Sequence, residues 1–142
     1  MRTNKFSAIT AAFIALSFQS GEAAAQCLDY EPEVVTLRGS LVRETHPGRP
    51  NYESIQNGDE AEVIWVLHLA DEVCVNAADE LNAEAHQVTR VQLVLKAEQY
   101  EKYRDLLGHQ VEVVGQLFQA HTGHHHTTLL LTTREMRGES SL

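Results

Sequence analysis

Basic residues are scarce in this sequence. The 142-residue chain has 11 lysines and arginines against 20 aspartates and glutamates, a formal net charge of −9. Nucleic-acid binding depends on neutralising phosphates with basic side chains, so this balance argues against a nucleic-acid partner. It argues equally against an anionic membrane surface, and it is compatible with cationic partners or metal ions.

Long apolar runs are also lacking. The longest, at residues 8–18, is too short to span a bilayer. It follows the basic residues Arg2 and Lys5 and precedes three alanines at 23–25. This order predicts a secretory signal peptide over residues 1–25, and hence a periplasmic or secreted protein with no membrane segment after cleavage. Removing residues 1–25 leaves 9 basic and 19 acidic residues, a net charge of −10.

Cysteine is limited to Cys27 and Cys74, and there is no C-x-x-C motif for redox work. In an exported protein, two cysteines indicate one structural disulfide. The chain-entropy model, which is disputed, assigns a loop of this size about 4 kcal/mol of stabilisation. We therefore predict a Cys27–Cys74 disulfide.

Recognisable catalytic motifs are missing as well. The sequence has no nucleophile turn with a Ser–His–Asp arrangement, no phosphate-binding loop and no H-E-x-x-H. Asp59, Glu60 and Glu62 lie close together in sequence, but such a cluster in an acidic protein is typical of a solvated edge. Of the functions considered, an enzyme is the least favoured.

What the sequence does contain is a series of strand patterns interrupted by one helix pattern. Apolar alternation predicts strands, and apolar residues at helical spacing predict the helix. Trp65 is expected in the core, and His68 is interpreted as a buried, hydrogen-bonded histidine. Gly39 and Gly115 fall inside strands, where glycine marks a bulge or bend. The predicted strands cover 34–42, 61–69, 88–95, 111–118 and 127–133, and the helix covers 97–107.

This order predicts a mainly β fold with one helix between the third and fourth strands. We expect a small, five-stranded, all-antiparallel barrel like the OB-fold, with an α+β sandwich as the alternative. The predicted domain covers residues 26–135 and is followed by a polar tail at 136–142.

Two loops carry most of the polar and aromatic chemistry. They cover residues 44–60 and 120–127, and in an OB-fold the corresponding loops flank the ligand face. The leading hypothesis is a non-catalytic binding domain for an unknown small ligand or protein. Its candidate ligand-binding residues are Arg49, Asn51, Tyr52, His121 and His125.

Histidines in the second loop suggest an alternative function. On an extended chain, His124 and His126 share one face, and His121 lies across the turn. Three imidazoles suit zinc, copper or nickel, which makes a periplasmic metal-binding protein the second hypothesis. A histidine tract is a compositional signal only, so these side chains could equally serve as hydrogen-bonding surface.

Several motifs resemble an uncharacterised family of bacterial exported proteins, the domain of unknown function 4431. The resemblance implies a small exported domain and no particular activity. Thr128 departs from it, because proline is expected there. The motifs are Cys27-x-x-Tyr30-x-Pro32, Val34-Val35-x-Leu37-x-Gly39, Pro47-Gly48-x-Pro50-Asn51-Tyr52-Glu53-Ser54-Ile55, Gly58-Asp59, Leu107-Gly108, Val111-x-Val113-x-Gly115-x-Leu117-Phe118 and Ala120-x-Thr122-Gly123-His124-His125-His126-Thr127.

The metal hypothesis makes a prediction about pH. Histidine must be neutral to bind a metal, so binding through His124 and His126 should weaken sharply below about pH 6. Calorimetric titration of the untagged mature protein with zinc, copper(II) and nickel measures this, with the His124→Ala/His126→Ala double variant as control. Affinity that stays flat across this pH range would indicate carboxylate ligands instead.

Overall fold

Five strands, one short α-helix and one 3-10 turn make up the fold. The computed structural model describes residues 25–140, so the predicted signal peptide lies outside it except for Ala25. The elements are β1 (Val35–Pro47), β2 (Ala61–Val75), β3 (Ala85–Val94), α1 (Ala97–Lys102), a 3-10 turn (Arg104–Leu106), β4 (Gln110–Gln119) and β5 (Leu129–Gly138).

The strands close into a barrel in the order β1-β2-β3-β5-β4. This confirms the predicted five-stranded barrel with its helix between β3 and β4, and the alternative of an α+β sandwich was wrong. The all-antiparallel prediction was wrong, because β3 and β5 run parallel from the pair Val91–Leu129 to the pair Val94–Thr132. A closed ring with an odd number of strands cannot alternate direction throughout, so one neighbouring pair has to be parallel.

Alternating side chains of the strands fill the barrel interior. Trp65 and Leu67 point inward from β2 and are buried, as the alternation predicted. Ile64 and Val66 point the other way and are also buried, although they do not belong to the core cluster. The outer face of β2 is therefore partly covered.

Gly39 and Gly115 lie where neighbouring strands approach too closely for a side chain. A Cβ atom at Gly39 would collide with the backbone carbonyl of His68, and one at Gly115 with that of Thr132. The ladder between β4 and β5 also shifts register between Val114 and Gly115, which confirms the predicted irregularity there.

Several of the predicted boundaries were wrong; β2, for example, continues to Val75 instead of ending at residue 69. β1 extends to Pro47, so residues 44–47 belong to a strand and the first loop begins at Gly48. β5 continues to Gly138 and buries Met136, in a segment predicted to be a polar tail. The predicted helix over 97–107 is α1 followed by the 3-10 turn.

The segment before β1 is tied to the barrel. Cys27 and Cys74 form a disulfide, as predicted, and this bond indicates an oxidising compartment. Tyr30 is buried, and its hydroxyl donates to the carbonyl of Ala83 at 2.7 Å. None of the helices within residues 25–140 has the length and apolar character needed to cross a bilayer.

The close backbone contacts at Gly39 and Gly115 predict that a side chain at either position destabilises the barrel. Gly39→Ala and Gly115→Ala should each lower the free energy of unfolding by about 2 kcal/mol, because the new methyl group forces backbone apart. Gly138→Ala is the control, since its nearest contact is the flexible Leu106 side chain at 3.3 Å. Urea unfolding followed by Trp65 fluorescence measures the difference. Equal midpoints for all three variants would contradict the strand-approach explanation.

Candidate functional site

A polar network lies on the outer face of β1, β2 and β3. The strand register brings its members together: His46 lies directly opposite Glu62, and His68 lies opposite Arg90. Glu44 lies two residues before His46 and therefore on the same face. These side chains, with two histidines from the second loop, form what we call the histidine–carboxylate face: Glu44, His46, Glu62, His68, Arg90, His124 and His126.

Glu44 is the first centre of this face. Its carboxylate accepts hydrogen bonds from His46 Nε2 and His68 Nε2, each at 2.8 Å, and from the guanidinium of Arg90. Burial raises the pKa of Glu44, but the bonds from Arg90, His68 and His46 outweigh burial and lower the pKa to about 2. Glu44 is therefore ionised at every physiological pH.

Glu62 is the second centre, and within residues 25–140 its hydrogen-bond partners are two imidazoles. Its carboxylate lies 2.6 Å from His124 Nδ1 and 2.9 Å from His126 Nε2. Burial raises the pKa of Glu62, but the hydrogen bonds from His126 and His124 outweigh that effect and keep the pKa below its ordinary value. Among the residues that the structure describes, no guanidinium bonds to Glu62, whereas Arg90 bonds to Glu44.

A pair of stacked rings joins the two centres. The imidazoles of His46 and His126 lie 4.5 Å apart between centroids, with an interplanar angle of 14°. His46 contacts Glu44 and His126 contacts Glu62, so both centres belong to one continuous surface.

Gln92 of β3 holds the second loop against this surface. Its side-chain amide donates to the carbonyl of His124 at 2.9 Å and accepts from the backbone N–H of His126 at 2.7 Å. The backbone N–H of Gln92 donates to the Thr127 hydroxyl at 2.9 Å. Because Gln92 is itself buried, the backbone of residues 124–127 is fixed relative to the sheet.

The first loop contributes Tyr52, which closes the network at one end. The Tyr52 hydroxyl lies 3.0 Å from His124 Nε2. Tyr52 has a φ of 59°, a left-handed backbone conformation that is unusual for a residue with a side chain. A Cβ atom at Gly123 would lie 2.8 Å from the Tyr52 ring, so this glycine makes room for the tyrosine.

Asp59 organises the turn that carries Tyr52. Its carboxylate accepts from the backbone N–H groups of Asn51, Glu53 and Ser54 at 2.8–2.9 Å. These bonds, first that from Ser54 and then those from Glu53 and Asn51, lower the pKa of Asp59.

Of the predicted ligand-binding residues, one contacts the histidine–carboxylate face and the others lie elsewhere on the two loops. Tyr52 contacts the histidine–carboxylate face, whereas Arg49 and Asn51 are exposed on the same loop without a recorded side-chain bond to that face. His121 and His125 pack against each other, 4.7 Å between ring centroids, and both lie beside Phe118. His125 Nδ1 accepts the backbone N–H groups of His121 and Thr122, a bonding pattern of loop structure. Burial, followed by repulsion from His121, lowers the pKa of His125.

The proposed metal ligands are divided in the same way. His124 and His126 converge on Glu62, whereas His121 Nδ1 lies 3.0 Å from the carbonyl of Gln119. Across residues 25–140, no group of three or more histidine, cysteine or acidic side chains is arranged to hold a metal ion. Metal binding stays a prediction.

Sequence reasoning missed the two carboxylate centres. It assigned Glu44 to a loop, interpreted Glu62 as part of a solvated edge, and took His68 to be buried, although the His68 side chain is 47% exposed. Instead, Glu62 bonds to two histidines on the histidine–carboxylate face, whereas Asp59 bonds to backbone N–H groups inside the turn. The alternation of side chains along β2 is the signal that could have placed Glu62 and His68 together. Glu62, Ile64, Val66 and His68 occupy every second position and therefore lie on the face opposite the core-facing residues.

A groove of about 330 Å³ lies beside the face. It is lined by residues 84–90 of β3 and its approach, and by His126, Thr127 and Thr128 of the second loop. Arg90 and His126 therefore border both the groove and the histidine–carboxylate face.

The chain is a small closed β-barrel with the strand order and helix position of the OB-fold. Residues 90–137 match a family model described as "Domain of unknown function (DUF4431)", which confirms the resemblance from the second half of β3 through the helix to the end of the final hairpin. The motifs between Cys27 and Asp59 lie outside the matched segment. No curated protein matches the chain.

The low pKa of Glu44 predicts a specific loss of stability in acid. A depressed carboxyl pKa stabilises the fold above the ordinary value of 4.5, and this contribution is lost as the pH falls toward about 2. Near neutrality, the free energy of unfolding of the wild type should exceed that of Glu44→Gln by up to roughly 3 kcal/mol. This difference should shrink as the pH falls from 4.5 to 2. Urea unfolding across this range tests the prediction, with the exposed Glu98→Gln as control. A difference independent of pH would show that Glu44 acts only through packing.

Proposed function

We propose that this chain is an exported, periplasmic or secreted binding domain that holds a hydroxyl-rich carbohydrate on its histidine–carboxylate face. The disulfide supports an oxidising compartment, and the predicted signal peptide supports export. The binding segments are those predicted from the sequence, at residues 44–60 and 120–127, of which residues 44–47 belong to the end of β1.

One observation carries this proposal: the two loops meet on a single strip of the barrel. Tyr52 from the first loop and His124 from the second lie within hydrogen-bond distance, and His124 continues to Glu62 on the sheet. OB-folds hold oligonucleotides and oligosaccharides on this side of the barrel, between the same two loops. That comparison is a fold-level analogy, so the ligand class has to be argued from the side chains.

The side chains favour sugar over nucleic acid. A net charge of −10 in the mature chain repels phosphates, and the only guanidinium of the face, Arg90, already binds Glu44. Carboxylates, imidazoles and a phenol can instead donate to and accept from sugar hydroxyls in fixed directions. The adjoining groove offers space for a second sugar unit beside Arg90 and His126.

A glycan array followed by calorimetry tests this function. The mature protein should bind at least one neutral or amino-sugar-containing oligosaccharide. Glu62→Gln should weaken the best binder by about ten- to a hundredfold, because it removes charge-assisted hydrogen bonding. Glu98→Gln, on the helix, is the matched control and should bind like wild type. Absence of glycan binding, or equal affinity in the two variants, would contradict the proposal.

A further inference from the structure

A linear chain of hydrogen bonds runs from Tyr52 through His124 to Glu62. The phenol oxygen lies 3.0 Å from His124 Nε2, and His124 Nδ1 lies 2.6 Å from Glu62 Oε1. An ionised carboxylate can only accept, so Nδ1 carries the proton and Nε2 of a neutral imidazole is left as the acceptor. The Tyr52 O–H therefore donates to His124.

This order has the logic of a nucleophile, a base and an orienting carboxylate. His124 can take the phenol proton, and the negative charge of Glu62 stabilises the imidazolium that results. Glu62 also contacts His126 Nε2, which fixes the carboxylate on the sheet without interrupting the chain.

The position of Tyr52 is imposed by its surroundings. Its backbone has a φ of 59°, in the left-handed region, and such conformations persist only where neighbouring contacts over-determine them. Three such contacts are present: the Asp59 carboxylate binds the flanking N–H groups, the Tyr52 N–H donates to the carbonyl of Gly48, and Gly123 leaves room for the ring. The loop could close without a tyrosine in a left-handed conformation whose hydroxyl contacts a histidine bound to a carboxylate.

The hydrogen-bonded series Tyr52–His124–Glu62 is also accessible from solvent. The His124 side chain is 54% exposed and Tyr52 is only partly buried, so a small reagent can reach the phenol oxygen. The Glu62 side chain, at 25% exposed, is more shielded and keeps its contacts with the two histidines.

We propose that Tyr52 is a nucleophilic modification site that accepts an acyl group from an activated carboxylic ester. The phenol oxygen forms a bond to the ester carbonyl carbon while its proton passes to His124 Nε2. The bond between that carbon and the alcohol oxygen of the ester breaks, and the alcohol part leaves as an anion. The product is an O-acyl tyrosine.

The same geometry limits the reaction to a single round. Backbone N–H groups that could stabilise a tetrahedral oxyanion beside Tyr52 are already engaged, because those of residues 51, 53 and 54 donate to Asp59 and that of Tyr52 donates to Gly48. Activation of the nucleophile without an oxyanion hole favours stoichiometric acylation over turnover.

Treatment of the mature protein with p-nitrophenyl acetate tests this inference. Release of p-nitrophenolate gives the rate and stoichiometry, and peptide mass spectrometry locates the acetyl group. Tyr52 should be acetylated at least about tenfold faster than Tyr100, an exposed tyrosine without a histidine partner among its recorded contacts. His124→Gln and Glu62→Gln should each lower the Tyr52 rate to near that of Tyr100.

Two controls separate the proposed reaction from its alternatives. Tyr52→Phe should remove the rapid phase, whereas Tyr100→Phe should leave it unchanged. Persistence of the rapid phase in Tyr52→Phe would identify a histidine as the nucleophile and overturn the proposal. So would equal rates at Tyr52 and Tyr100, or an unchanged Tyr52 rate in a folded Glu62→Gln variant, with folding checked by circular dichroism.

Discussion

The buried amide of Gln92 is the constraint on which the outer surface of this barrel depends. It lies on β3 between Val66 of β2 and Leu130 of β5 in the sheet register, and all three are buried. An amide in that position has to satisfy both its donor and its acceptor. It does so with the backbone of His124 and His126, so the second loop is positioned by the sheet rather than by its own sequence.

The two carboxylates that this arrangement brings together are electrostatically different. Glu44 has a permanent positive charge beside it in Arg90, and its hydrogen bonds form a closed, saturated group. In the described part of the chain, Glu62 is bonded by histidines alone, and the charge of a histidine depends on pH and on what it binds. The Glu44 side of the face therefore resembles a structural support. The Glu62 side can respond to a ligand, and the charge of Glu62 can change the basicity of His124.

The sequence predicted the interior of this molecule better than its surface. Patterns of apolar residues identified every strand, and the three consecutive leucines of β5 are all buried. Strand direction could not be obtained from local patterns, because the parallel pairing of β3 with β5 follows only from closure of an odd-numbered ring. Glu62 was misjudged for a related reason: its position directly across from His46 on β1 is set by strand register, which cannot be read from a single segment.

Trp65 gives this fold a convenient optical property. It is the chain's only tryptophan, and it is buried in the core, whereas Glu62, Ile64 and His68 lie on the opposite side of the same strand. It contacts the ring of Tyr100 of the helix in an edge-on arrangement, with 5.2 Å between ring centroids. Intrinsic fluorescence should therefore report whether the barrel is intact and remain largely insensitive to events on the outer face, which allows folding and recognition to be followed as separate signals in one sample.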